Sequence, residues 1–250
     1  MQRQLLPLLF ACLSLAAAAP RPAHAAAFDV SPLTLSLSGK TATGTIAITN
    51  RSKDVLRLHV TAFKWSQRAD GEAVLKPTKE VVFFPAMISL NPNQSRQIRV
   101  GSKVKPGAVE RTYRIFVQEL PPLTKKEDTP NAVKVLTKLG MPVFVAAQRP
   151  KVTPGLTAPA VSGKTLTFSA RNTGNTHMRI KQIKITARNP KGEVERIEQA
   201  GWYVLANGRR DYQIPLSDKI CEQATTIEVD METTDGSVKA NLPTLSCGSG

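Results

Sequence analysis

Histidine is nearly absent from this chain: 250 residues contain three, His24, His59 and His177. Nucleophilic catalysis needs a Ser or Cys with a base in reach, usually a histidine. His24 falls in a segment read below as cleaved, and His59 and His177 sit in separate predicted domains, on strand patterns. G-x-S-x-G, P-loop, G-x-G-x-x-G and H-E-x-x-H sequences are also missing. Acidic residues are few, 19 Asp and Glu against 34 Lys and Arg, and lie mostly at turns and exposed strand positions rather than in facing pairs. The reading is a chain with no catalytic residue, no cofactor and no metal site.

Long apolar runs are missing too, apart from one at the start. Arg3 precedes an apolar stretch, Leu5–Ala19, and Ala23-His24-Ala25 supplies an A-x-A cleavage site. Residues 1–25 read as a secretory signal peptide, too short for a membrane span. What remains, 250 − 25 = 225 residues, suits two domains. Cys12 leaves with the signal, so only Cys221 and Cys247 persist, and two cysteines in an exported chain read as one disulfide stapling the C-terminal domain. The formal charge of +15 loses Arg3 and Arg21, leaving 15 − 2 = +13. Such a surface favours acidic partners. The cations are scattered singly along strands, with no RNP, zinc-finger or helix-turn-helix pattern, which points to an acidic protein rather than nucleic acid. No stable membrane insertion is expected.

Helical periodicity is absent from Phe28 onward. Short alternating runs of Val, Ile, Leu, Phe and Thr are broken by Gly, Pro, Asn and Asp every eight to twelve residues, as in an all-β sandwich. In a first domain (26–148), strands are expected near Phe28–Leu37, Thr43–Thr49, Leu56–Ser66, Glu80–Phe84, Arg96–Gly101, Arg111–Leu120 and Val133–Ala147, with Trp65 in the core. A short Pro-rich linker (149–155) leads to a second domain (156–250). Its strands are expected near Thr165–Asn172, Arg179–Arg188, Gly201–Leu205, Asp211–Leu216, Thr225–Met231 and Val238–Leu242. No internal repeat stands out between the halves.

The most informative segment is 131–145. Val133, Val135, Thr137, Leu139 and Met141 fall on one face of an extended strand, while Ala132, Lys134, Leu136 and Lys138 take the other. Pro142 cannot donate a ladder hydrogen bond, which places the strand at a sheet edge. A long edge strand with an apolar row is an aggregation hazard unless it is an ordinary core strand or is offered to another protein.

Three stretches resemble the PapD-like pilus chaperone family. They are Phe28-Asp29-Val30-Ser31-Pro32 with Gly44 and the strand ending at Asn50; Phe84-Pro85-Ala86 with Gln97-Ile98-Arg99-Val100; and Tyr113 to Pro122, close to the family's strand signature ending in Glu-[Ile/Leu]-Pro. The resemblance implies two immunoglobulin-like sandwiches set as a boomerang, working in the periplasm. It further implies that the last strand of the first domain is lent to pilin-like fibre subunits lacking their own final strand. An outer-membrane usher then receives the subunit. Val133, Val135 and Leu139, with Thr137 between, would fill the subunit's groove. Well-known members anchor the subunit's terminal carboxylate with an Arg on the first strand and a Lys late in the last. Here those positions hold Thr34 and Pro142, a pattern resembling the archaic branch that serves spore-coat-like fibres. Arg114 is then the first candidate anchor, followed by Arg99 and Lys138. A self-capping homodimer is left open. So are a secreted immunoglobulin-like adhesin or fibre subunit and a cationic surface-binding module. A fibre subunit should, however, begin with a donor extension rather than a strand pattern.

Overall fold

Alternation of apolar and polar side chains governs nearly every element. The structure, a computed structural model, describes residues 28–121 and 135–248. The expected signal peptide and Val133 lie outside the described residues. The first ten strands are β1 (Phe28–Ser31), β2 (Leu35–Leu37), β3 (Thr43–Asn50), β4 (Leu56–Gln67), β5 (Ala73–Pro77), β6 (Val81–Phe84), β7 (Met87–Leu90), β8 (Ser95–Ser102), β9 (Arg111–Glu119) and β10 (Lys138–Val145). They form one sheet in the order β1-β3-β8-β6 and another in the order β2-β10-β9-β4-β5, with β7 also on β4. Ile46, Ile48, Ile98 and Val100 of the first sheet meet Leu58, Val60, Ile115, Val117 and Val143 of the second in one buried core.

The next nine strands are β11 (Pro154–Leu156), β12 (Ala160–Ser162), β13 (Thr165–Asn172), β14 (Met178–Asn189), β15 (Gly192–Ala200), β16 (Tyr203–Val204), β17 (Arg209–Pro215), β18 (Thr226–Thr233) and β19 (Gly236–Leu242). One sheet runs β11-β13-β12 with β17 on β13, and the other runs β15-β14-β18-β19 with β16 on β14. Leu166, Phe168 and Ile214 pack against Ile183, Ile185, Val229 and Met231. The chain is thus two all-β sandwiches, the expected fold class. Pro154 and Gly155, read from the sequence as linker, already pair with β13.

The two halves share a device that their sequences conceal. Asn50 ends β3 and its side-chain amide donates to the carbonyls of Asp54 and Leu90. Asn172 ends β13 and donates to the carbonyls of Thr176, Val204 and Leu205. Both are fully buried, and each precedes a tight loop that leads into the longest strand of its sandwich, β4 or β14. Buried polar side chains are kept where they satisfy backbone groups that water cannot reach. The repeat rests on a single shared residue type, so sequence self-comparison passes over it.

Four expectations need correction. The strand expected at Phe28–Leu37 is two strands in different sheets, β1 beside β3 and β2 beside β10, broken at Pro32, which has no N–H for a ladder. The strand expected from Val133 begins at Lys138. It is also not an edge along its whole length, because Val143–Val145 pair in parallel with Leu35–Leu37. Trp65 is buried, but in a separate cluster between the sandwiches. β15 and the helix α1 (Asp218–Gln223) were not anticipated. β15 alternates four charged residues with few apolar ones, and α1 is a short helix that Ser217 caps by accepting from the Ile220 N–H.

Candidate functional site

β10 meets three surroundings within a few residues. Its register opposite β9 runs from Lys138↔Gln118 to Val145↔Arg111. Period-two alternation sends Leu139, Met141, Val143 and Val145 to the face that closes the first core. In the sequence the same alternation continues backward through Thr137 to Val135, which precede β10. Exposure rises along it, from 2% at Met141 to 83% at Val135, with Thr137 and Leu139 half-buried between. Met141 therefore fills the protein's own core and is not available to a partner, contrary to the sequence expectation. Leu139 packs against that core as well. Val135 projects free. Among the described residues, no strand pairs the outer edge of Lys138–Pro142, since β2 begins its pairing only at Val143. A strand laid on that edge would run out at Pro142, which stands opposite Arg114 in register.

The other face of β10 carries Phe144 into a seam between the sandwiches. Phe144, Trp65, Tyr203 and Leu205 form a buried cluster of their own. The ring of His177 stacks on Phe144 at 3.7 Å. Its Nδ1 and its backbone N–H both lie 2.8 Å from one oxygen of Glu110, a carboxylate buried in the seam. The β4–β5 turn reaches across: the Gln67 amide donates to the Tyr203 carbonyl at 3.0 Å, and the Ala69 carbonyl accepts from the Asp211 N–H at 2.7 Å. His177 is thus an interface residue rather than a strand-face side chain.

Arg114 occupies the edge of this seam. Its guanidinium lies over the Trp65 ring, 4.2 Å from the centroid. Such stacking suits a desolvated cation. Burial weakens its hold on the proton, an effect partly offset by the nearby Tyr203 hydroxyl. Arg114 Nε and Trp65 Nε1 are both buried without a hydrogen-bond partner among the described residues. A buried unpaired donor costs about 1–3 kcal/mol, so it marks either strain or an awaited acceptor. Thr34 Oγ1 is 3.4 Å from the Tyr203 hydroxyl. Arg179, opening β14, donates from Nη1 to that same hydroxyl at 3.0 Å.

The other candidate anchors lie elsewhere. Arg99 is on β8, in the opposite sheet, paired with Thr45 and Phe84, where it lines a shallow surface depression with Arg96 and Pro85. That sheet is not the one that carries Arg114, which argues against Arg99 as part of the same site. Lys138 is on the correct sheet face, its Nζ 4.8 Å from the centroid of Phe116. Gly140 makes room there: a Cβ at this position would come within 2.6 Å of Phe116 Cε1. Tyr203 and Arg179 were not singled out from the sequence. An alternating strand pattern gives no hint that residues of the second half meet Trp65. Among the described residues, no group of three His, Cys, Asp or Glu side chains could hold a metal ion.

The fold agrees with the comparisons to known proteins. The family model of the pili and flagellar-assembly chaperone PapD N-terminal domain matches residues 27–152, half of the chain. The chain belongs to that family of pilus chaperones. Solved structures of the same fold include the CsuC chaperone with the CsuE tip adhesion subunit, a pre-assembly complex from archaic chaperone-usher Csu pili of Acinetobacter baumannii. That match has a TM-score of 0.58 at 16% identity, covering 85% of this chain and 98% of that one. The YadV chaperone superposes with a TM-score of 0.59 at 11% identity over 86% and 98% of the two chains. The SafB chaperone, in complex with the SafA pilin of Salmonella enterica, gives 0.52 at 15% identity over 89% and 98%. No curated protein matches the chain by sequence.

Proposed function

We propose that this protein is an archaic-type periplasmic chaperone, exported by cleavage of residues 1–25, that holds fibre subunits by strand donation and delivers them to an outer-membrane usher. The observation that carries the reading is the apolar row of β10 running off the end of its own sandwich beside an unpaired strand edge. A subunit missing its final strand exposes a groove and two edges, a state prone to aggregation. The donated segment supplies main-chain hydrogen bonds at its edge and apolar side chains at its face. Val133 and Val135 contribute in full, and Thr137 and Leu139 in part, because Thr137 is already half-buried and Leu139 already packs against the chaperone core. At roughly 2 kcal/mol for each fully buried valine, gross stabilisation is about 5 kcal/mol before ordering costs. No covalent chemistry or nucleotide is needed, because release is an exchange of one strand for another.

In this reading Arg114 receives the terminal carboxylate of the bound subunit, at the point where β2 stops an added strand. The division into an N-terminal domain (26–148), linker (149–155) and C-terminal domain (156–250) then serves to build the cleft. Mass spectrometry of the proteins that copurify from a periplasmic extract tests the reading directly. The expected result is one fibre subunit in a one-to-one complex. Recovery of the chaperone alone, or bound to many unrelated acidic proteins, would overturn it.

A further inference from the structure

Arg114 and Arg179 approach the same phenol from opposite sandwiches. Arg114 comes from β9, lying over Trp65, whose ring is 6.0 Å from that of Tyr203. Arg179 comes from β14, with its guanidinium carbon 5.3 Å from the Tyr203 centroid and Nη1 on the hydroxyl. Neither guanidinium has a carboxylate partner among the described residues, while neighbouring cations do: Arg111 and Lys64 meet Glu80, and Arg209 meets Asp211. Unpaired cations are ordinary on the surface of a basic protein. Two that flank one buried phenol are less so, because Arg114 keeps a buried Nε donor with no partner among the described residues while Arg179 already reaches the Tyr203 hydroxyl. An anion beside that hydroxyl would take up the spare donors.

We infer that the carboxylate site is shared by both sandwiches, with Arg179 and Tyr203 of the second completing the anchor that Arg114 begins in the first. The inference rests on the reading of this cleft as the receiver of a terminal carboxylate and adds who holds it. Tyr203 accepts from Arg179, so its own hydrogen stays free to donate, to Thr34 or to an incoming oxygen. The Arg114 fork, the Arg179 fork and the Tyr203 hydroxyl then face an anion whose two oxygens offer about four acceptor sites. Arg179 is exposed and Tyr203 buried, so the first can move while the second fixes where it points. The site is complete only while the sandwiches keep their present angle, and a bound carboxylate would in turn brace that angle.

The arginine Nε–H resonances of the full mature chain report on this directly, with N-acetylalanine as the carboxylate probe and N-acetylalaninamide as the uncharged control. The expected result is that Arg114 and Arg179 signals move together on one binding curve with the acid and stay still with the amide. Arg179→Gln should weaken the acid's affinity tenfold or more. Tyr203→Phe, which keeps the ring and loses the hydroxyl, should weaken it severalfold, with the remaining backbone spectrum unchanged in both variants. If only Arg114 responds and Arg179→Gln binds as wild type does, the shared site is wrong while the Arg114 anchor stands. If neither arginine responds to the acid, or both respond equally to the amide, the anchoring reading falls as well.

Discussion

Replacing Val135 with aspartate separates a strand that is lent from a strand that is merely long. In the free protein Val135 is 83% exposed and is not among the described residues that pack against the first core. A surface change of that kind stays within about 0.5 kcal/mol, or roughly 1–2 °C in Tm for a chain of this size. In a complex the same position would be buried in the subunit's groove. The variant then loses about 2 kcal/mol of valine burial and places an unpaired carboxylate in an apolar slot, for at least about 2 kcal/mol more. The sum, about 4 kcal/mol, weakens binding by roughly a thousandfold. Met141 is the contrasting position, buried in the chaperone's own core. Met141→Ala should cost about 2–5 kcal/mol of stability and affect binding only through unfolding. Calorimetric unfolding of each free variant, paired with titration against the copurified subunit, gives both numbers. A Val135→Asp protein that binds within threefold of wild type would falsify strand donation through this row. One that unfolds would mean that Val135 belongs to a core after all.

Three further outcomes are expected. Arg114→Ala should weaken subunit binding about thirtyfold or more, since truncating one side of a desolvated charge pair costs about 2–5 kcal/mol; Arg114→Lys should recover only part of the loss. Adding one residue to the subunit's C-terminus should hurt wild type and scarcely worsen Arg114→Ala, whereas simple additivity would remove Arg114 from the carboxylate. Cys221, in α1, and Cys247 lie at disulfide distance, with Cα atoms 5.5 Å apart and a sequence separation of 26. Non-reduced peptide mapping should recover them linked, and Cys247→Ser should cost roughly 3 kcal/mol; two free thiols in freshly exported protein would refute the pairing. Burial, reinforced by its hydrogen bond to Glu80, raises the Tyr113 hydroxyl well above the ordinary tyrosine range. Between the two values the folded state binds more protons than the unfolded one, so stability falls as pH rises past about 10. Absorbance at 295 nm should show Tyr113 ionising only with unfolding, and Tyr113→Phe should flatten that alkaline decline; a normal titration in the folded protein would contradict the burial argument.

The alternation of Val133 to Met141 was legible because a strand's period is two, whatever lies beyond it. Where the sandwich ends was not legible, because alternation is the same on either side of that line, and Met141 and Val135 look alike in sequence. Arg114 could be picked out from its place in the strand signature. Arg179 and Tyr203 could not, since their position depends on how the second sandwich docks against Trp65 and Phe144. Asn50 and Asn172 act at corners whose surrounding residues differ, so backbone satisfaction repeats where sequence does not. β15 escaped notice because Glu193, Glu195, Arg196 and Glu198 leave only Val194 and Ile197 as an apolar trace.

β10 is also a strand that cannot be tuned by sliding. Val143 and Val145 point into the first core and Phe144, between them, into the seam. A shift of one residue would exchange the faces, driving a phenyl ring into a space shaped for valine and withdrawing it from His177 and Tyr203. A shift of two would restore the faces but put Gly140 or Pro142 where larger or hydrogen-bonding residues now sit. The free edge of Lys138–Pro142 is therefore held in fixed phase by the paired end of the same strand, as teeth on a rack. On the proposed reading, a partner strand laid on that edge would have to adopt this phase, and a subunit whose groove is offset by one residue would be refused.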